Sequence, residues 1–203
     1  MTTPKIVAKR SVIEAATPHT VFSTITQLGQ STRLRLAGSV AHPLDGARYV
    51  WALTRLALGW TFLWPFLDKM FGLGHQTTAD HAWIHGGSPS LGFLSGATGP
   101  FAGIYQSIAG AGWVNVLFMF GLLAIAVALL LGIGVRVAAI AGSTLLVLMW
   151  SASLPPQDDI FMDNHLIYAL VLLGLAVVGA GKTLGLGQWW AQTSLVQRFP
   201  WLI

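Results

Sequence analysis

The chain has 203 residues, 54% of them hydrophobic and 9% charged, with a mean hydropathy of +0.67. A soluble domain cannot cover its surface with so few charges, so composition points to a membrane protein. The net charge is +4, but the basic residues flank apolar runs rather than sharing one polar face, which speaks against nucleic acid. The chain has no cysteine, which excludes disulfides, thiol catalysis and cysteine-ligated zinc or iron–sulfur clusters.

Residues 1–47 are rich in Thr, Ser and Arg and show no sustained period. They are predicted to be a flexible basic cytoplasmic tail, with a partner-binding or lipid-surface arm as the alternative. Glu14, Pro18 and His19 interrupt the early apolar residues, so this stretch does not read as a secretory leader.

Residues 48–190 are predicted to form one transmembrane domain, with spans at about 49–71, 113–132, 137–154 and 164–180. Each run is long enough to cross a ~30 Å hydrocarbon core as a helix. No strand-like alternation is visible, and in lipid only helices or closed barrels satisfy the backbone. Short connections then predict an all-α, antiparallel four-helix bundle. Residues 191–203 follow as a C-terminal cytoplasmic segment.

Charge orients the bundle. Lys5, Lys9, Arg10, Arg33, Arg35 and Arg48 precede the first span, and Arg136, Lys182 and Arg198 fall in gaps on the same side. Asp68, Asp80, Asp158, Asp159 and Asp163 fall at the opposite ends. By the positive-inside rule both termini are cytoplasmic, in a bacterial plasma membrane, and only Lys69 violates the pattern. The long glycine-rich connection between the first two spans is then extracytoplasmic. Within it Pro100 predicts a short helix through about Ala109, and Trp83, Phe93 and Trp113 are expected to anchor the segment as a cap. Small residues spaced by four, such as Ala138 and Gly142, suit close helix packing.

Four groups of polar or aromatic residues stand out. Arg55 lies within the first span, where an arginine either serves function or reaches the inner interface or a helix C-terminus such as Ala180-Gly181. Trp60, Trp64 and Asp68 share one face at the outer end of that span, with Lys69 about 100° away and Pro65 set to free the Thr61 carbonyl. The fourth span opens with Asp163 as a natural N-cap, followed by His165 and Tyr168 on one face. With Trp150 they are candidates to line a pocket for a flat head group, and a plain polar cap on the bundle is the alternative. His75, Asp80, His81 and His85 are metal-ligand types, but Gly86-Gly87 breaks any helix there, so a solvated loop and no metal site is expected. A single in-span histidine argues against haem.

The stretch from Arg55 through Gly59, Trp64 and Asp68 to Lys69 resembles the start of the DoxX/DoxD family. So do Trp83-Ile-His-Gly-Gly-Ser-Pro-Ser90 and Phe161-Met-Asp-Asn-His165-Leu-Ile-Tyr168. The resemblance covers about residues 48–190 and is nearest to the actinobacterial type with a glycine-rich outer loop. It implies a membrane subunit like that of thiosulfate:quinone oxidoreductase, or a partner in a membrane-associated redox complex. By position Arg55, Asp68, Lys69, His165 and Tyr168 become the polar residues of interest. Lacking a redox centre, the chain would need a partner subunit or a bound quinone, none of it covalently held. The expected function is a membrane subunit of a quinone-linked oxidoreductase or respiratory-type complex. In it His165 and Tyr168 bind the quinone oxygens, Trp64 and Trp150 stack on the ring, and Asp68 or Asp163 relays protons. A non-catalytic accessory or assembly subunit of a larger respiratory or envelope complex is the second expectation.

Overall fold

The computed structural model describes residues 43–156 and 160–203. The tail up to residue 42, with Lys5, Lys9, Arg10, Arg33 and Arg35, and the turn at Gln157, Asp158 and Asp159 lie outside the described residues. Residues Leu44–Ile203 form one compact unit.

Among the described residues every regular element is helical. Four helices are long: α1 (Pro43–Phe71), α4 (Gly112–Leu131), α5 (Val135–Ala152) and α6 (Asn164–Val178). Short helices α2 (Leu91–Ser95) and α3 (Ala102–Ser107) lie between α1 and α4, and α7 (Gly187–Ala191) and α8 (Ser194–Arg198) follow α6. Three helices are long and apolar enough to cross a membrane, over Gly46–Phe71, Gly112–Leu131 and Val135–Ala152. The fourth, α6, is apolar but has 15 residues, about 22 Å of helix and short of a ~30 Å core.

The ends differ from the predicted spans for local reasons. Helix α1 starts at Pro43, because proline suits the first helical turn and Arg48 is tolerated outside the apolar stretch. Helix α5 begins two residues early after Gly134, whose φ of 58° is a left-handed conformation that glycine adopts without strain. It stops at Ala152, three residues before Pro155, because Pro155 and Pro156 have no N–H to give to the Ser151 and Ala152 carbonyls, and the Ala152 carbonyl accepts from Thr98 N at 3.0 Å instead. Helix α6 ends at Val178, since Gly179 turns to φ 65° and caps it.

The four long helices contribute to one core: Leu58 and Phe62 from α1, Met119 and Ile125 from α4, Ala139 and Leu146 from α5, Leu172 and Leu175 from α6. In lipid no hydrophobic force drives helices together, so close van der Waals packing must do it. Gly142 marks where they meet. A Cβ there would lie 2.8 Å from Leu172, 3.4 Å from Ile125 and 3.4 Å from Phe62, one neighbour from each other long helix. Ser143 Oγ adds a direct bond from α5 to the Ala169 carbonyl of α6, at 3.0 Å.

The connection over 72–111 is not irregular. It folds into α2, α3 and three 3-10 turns, Ala79–His81, Trp83–His85 and Gly99–Phe101. It is tied to each of the first three long helices. Asp68 of α1 accepts from the backbone N–H groups of His75 and Gln76. Asn115 of α4, buried in an otherwise apolar helix, accepts from Ser90 N at 3.0 Å, Ser90 Oγ at 2.7 Å and Ser88 Oγ at 3.2 Å. At the end of α5, Tyr105 and Ser151 hydroxyls meet at 2.5 Å and Thr98 Oγ1 donates to the Leu154 carbonyl at 2.8 Å. Of the aromatic anchors expected from sequence, Trp83 packs on the core and Phe93 lines a cavity, whereas Trp113 is 63% exposed.

Asn115→Leu is therefore expected to free the 88–95 segment while leaving the long helices intact. Losing this set of buried bonds costs about 1–3 kcal/mol locally. Amide hydrogen exchange over 88–95 should accelerate roughly tenfold or more, and unchanged exchange there would show that other contacts hold the segment.

Candidate functional site

The site is built on the first turn of α6. Asp163 is extended (φ −139°, ψ 179°), and its Oδ1 accepts from Leu166 N at 3.2 Å as the helix N-cap. Its second oxygen, Oδ2, lies 2.6 Å from Nδ1 of His165. One carboxylate thus starts the helix and fixes the histidine ring. A partner on Nδ1 decides what the far nitrogen, Nε2, offers, and Nε2 has no partner among the described residues. Both side chains are largely covered, with 26% of His165 and 16% of Asp163 exposed.

His165 faces a cavity of about 960 Å³ enclosed by α1, α4, α5, α6 and the 72–111 segment. Phe62, Phe118, Leu122, Leu146 and Met149 give it apolar walls. Its polar groups include Lys69, Gln76, Thr77, Thr78, His81, Asn164, His165 and Tyr168. Thr61 and Pro65 also line it, and proline at 65 leaves the Thr61 carbonyl without its helical donor. A second hollow of about 670 Å³ lies alongside, lined by Thr98, Pro155, Met162 and Asp163. His165 borders both, Tyr168 and Lys69 only the first, Asp163 only the second. The Asp163–His165 pair therefore stands between the two.

Of the residues expected at a head-group pocket, Lys69, His165 and Tyr168 line the large cavity, with Asp163 behind His165. Trp64, Asp68, Trp150 and Arg55 do not line it. On α1 the lining residues are Thr61, Pro65 and Lys69, one four-residue stripe, together with Phe62. Trp60, Trp64 and Asp68 form the neighbouring stripe, about 100° around the helix. Trp64 instead contacts Trp60 at 6.0 Å and His75 edge-on at 6.2 Å. Trp150 donates from Nε1 to the Phe161 carbonyl at 2.9 Å and meets the Phe161 ring edge-on at 5.1 Å, so it braces the approach to α6. Asp68 is buried, with both oxygens on backbone N–H groups of the 75–76 turn. Lys69 Nζ reaches the Gln76 side chain at 3.4 Å.

Arg55 sits at the other end of the helices and is wholly buried. Nη1 donates to the carbonyls of Leu129 and, at 3.1 Å, Leu130, at the end of α4. Nη2 donates to Leu184 at 2.8 Å and Thr183 at 3.4 Å. It thus binds a helix C-terminus, that of α4 rather than the Ala180-Gly181 stretch. Gly132 makes room for it, since a Cβ there would lie 3.0 Å from Nη1.

The loop histidines each have separate partners. His81 Nδ1 is 2.9 Å from Thr78 Oγ1, and His85 Nδ1 is 2.6 Å from the Ala79 carbonyl. The exposed Asp80 carboxyl is held below the usual range, chiefly by a hydrogen bond from the Thr78 side chain. Among the described residues no three His, Asp or Glu side chains converge as a metal site would need.

Sequence reasoning missed Asn164, Thr61 and His81 as cavity residues and Asn115 as the anchor of the cavity's cover. Asn115 carried a signal, an amide in a run that is otherwise apolar. Compared with family models, curated proteins and solved structures, the chain matches none of them.

Proposed function

We propose that this chain is a membrane subunit of a quinone-linked redox complex and that the large cavity takes the quinone head group. The observation that carries this reading is the Asp163–His165 pair on the wall of an apolar cavity, with Tyr168 and Lys69 beside it. A quinone has two carbonyl oxygens on a flat apolar ring. The Tyr168 hydroxyl and the Lys69 ammonium are donors for those oxygens, His165 Nε2 joins them once the ring carries a proton on both nitrogens, and Phe62, Phe118 and Leu122 suit the ring. The donor set and the walls fit the group. A bound quinone would supply two-electron chemistry coupled to protons. His165 then binds and exchanges a proton at Nε2, and Asp163 keeps the ring oriented. The DoxX/DoxD resemblance of Arg55–Lys69, Trp83–Ser90 and Phe161–Tyr168 supports the same reading.

In this reading α1, α4, α5 and α6 form an antiparallel four-span bundle in a bacterial plasma membrane, with α6 just long enough to span where the bilayer thins. Arg48, Arg136, Lys182 and Arg198 then lie on the cytoplasmic side with both termini. The 72–111 cap and the cavity mouth face outward, and electrons pass to or from a second membrane or membrane-associated subunit. Exposed Ile84, Leu91, Phe101 and Ile104 on the cap favour a second reading, an accessory subunit that docks a larger complex there.

The test is binding of a short-chain quinone to the purified chain, read by quenching of tryptophan fluorescence. His165→Ala is expected to weaken binding about tenfold, the loss of one buried hydrogen bond worth ~1.4 kcal/mol, with an unchanged melting temperature. Equal binding by the variant removes His165 from the site, and no binding by either protein favours the accessory reading.

A further inference from the structure

At the end of the helices opposite the cavity lies a smaller hollow of about 190 Å³. It is formed where α5 begins, α6 ends and the segment around α7 folds back. Two exposed cations, Arg136 and Lys182, stand on it. Neither side chain has an ion-pair partner among the described residues. The Arg136 backbone N–H is taken by the Ile203 carbonyl at 3.1 Å, which fixes the residue while leaving its guanidinium free to act.

Besides the backbone of Gly132, Gly179, Gly181 and Gly187, the lining has two apolar parts. Ala176 and Val177 belong to α6, and Val177 is 87% exposed, so this wall continues onto the outer face of an apolar helix. Trp190 belongs to α7, and its Nε1 donates to the Leu202 carbonyl at 2.8 Å, which pins the indole in place. Indole rings held in this way are typical of the level where lipid head groups meet acyl chains.

We propose that this hollow binds the head group of one anionic phospholipid. Arg136 and Lys182 hold the phosphate, and the Val177 face of α6 takes the first part of an acyl chain. Basic pockets between membrane helices bind acidic lipids in this way. A free phosphate ion would use the two cations but gain nothing from the apolar wall. The site is independent of the quinone reading, because it shares no residue with the cavity.

The test is native mass spectrometry of the full chain from mild detergent, after mixing with phosphatidylglycerol or phosphatidylcholine. The chain is expected to keep one phosphatidylglycerol at concentrations where phosphatidylcholine is lost, and millimolar inorganic phosphate should not displace it. The double variant Arg136→Gln, Lys182→Gln should reduce retention at least tenfold. Val177→Glu, which keeps both cations but puts a negative charge on the wall, should do the same. Arg198→Gln, an exposed cation outside the hollow, should change it less than twofold. All these positions are exposed, and melting temperatures check that each variant stays folded. Equal retention by the double variant, an equal loss from Arg198→Gln, or displacement by inorganic phosphate would each overturn the proposal.

Discussion

Replacing Arg55 with methionine is expected to lower the melting temperature of the detergent-solubilised chain by about 6–12 °C, the shift that ~3 kcal/mol produces at this size. The side chain carries a full charge with no exposure and no carboxylate partner among the described residues. Desolvating a charge costs several kcal/mol, so burial alone would argue for removing it. Four backbone carbonyls decide otherwise. Leu129 and Leu130 are among the last residues of α4, whose carbonyls have no helical donor and carry the negative end of the helix dipole. Thr183 and Leu184 belong to the chain after α6, and Leu184 holds φ at 50°, costly for a branched side chain. Hydrogen bonds to a charged donor contribute about 1.5–3 kcal/mol each, and methionine would orphan all four acceptors at once.

A lysine at the same position separates charge from geometry. Nη1 serves α4 while Nη2 serves the 183–184 turn, and a single ammonium cannot reach both sets. Arg55→Lys should therefore lose about half of the methionine effect, roughly 1–2 kcal/mol. If lysine matches the parent, positive charge near the α4 terminus is all that matters, and the bridging role is wrong. The Nε atom, which finds no partner although buried, fits a side chain placed for its fork rather than for complete satisfaction.

What the sequence made readable follows from how local each signal is. Four apolar runs are visible because hydropathy is summed within one segment, and each helix end falls within a few residues of the predicted one apart from the start of α1. The shifts came from Gly134, Gly179, the missing N–H groups of Pro155 and Pro156, and the bond from Thr98 to Ala152, a partner distant in sequence. The Asp163 cap was readable, since it acts on Leu166 three residues on. The inward stripe of α1 was not. Both Thr61/Pro65/Lys69 and Trp60/Trp64/Asp68 repeat every four residues, and only packing against the other helices chooses between them. The acceptors of Arg55 lie 74 to 129 residues away and leave no trace in its own neighbourhood.

Asp68→Ala is expected to open the cavity from its rim rather than to remove a group from inside it. The carboxylate is 1% exposed, and it receives His75 N on Oδ1 and Gln76 N on Oδ2, each at 3.1 Å. Charge-assisted bonds of this kind contribute about 1.5–3 kcal/mol each, although His75 and Gln76 are exposed and water will recover part of that. A net loss of about 2 kcal/mol is expected, concentrated in the turn. That turn matters because Gln76, Thr77 and Thr78 form one side of the cavity and Gln76 receives Lys69. Hydrogen exchange over 75–78 should rise about thirtyfold, as ~2 kcal/mol implies, and quinone binding should weaken with it. Asp68→Asn is the sharper test. The amide keeps one acceptor, but its NH₂ group would face a backbone N–H, donor against donor, so this variant should loosen the turn nearly as much as alanine does. A relay of protons through Asp68 predicts the opposite pattern: proton-coupled activity lost in the asparagine variant while exchange at 75–78 stays at the parent rate. With both oxygens already committed to the backbone and the side chain off the cavity wall, the anchoring role is the one the geometry favours.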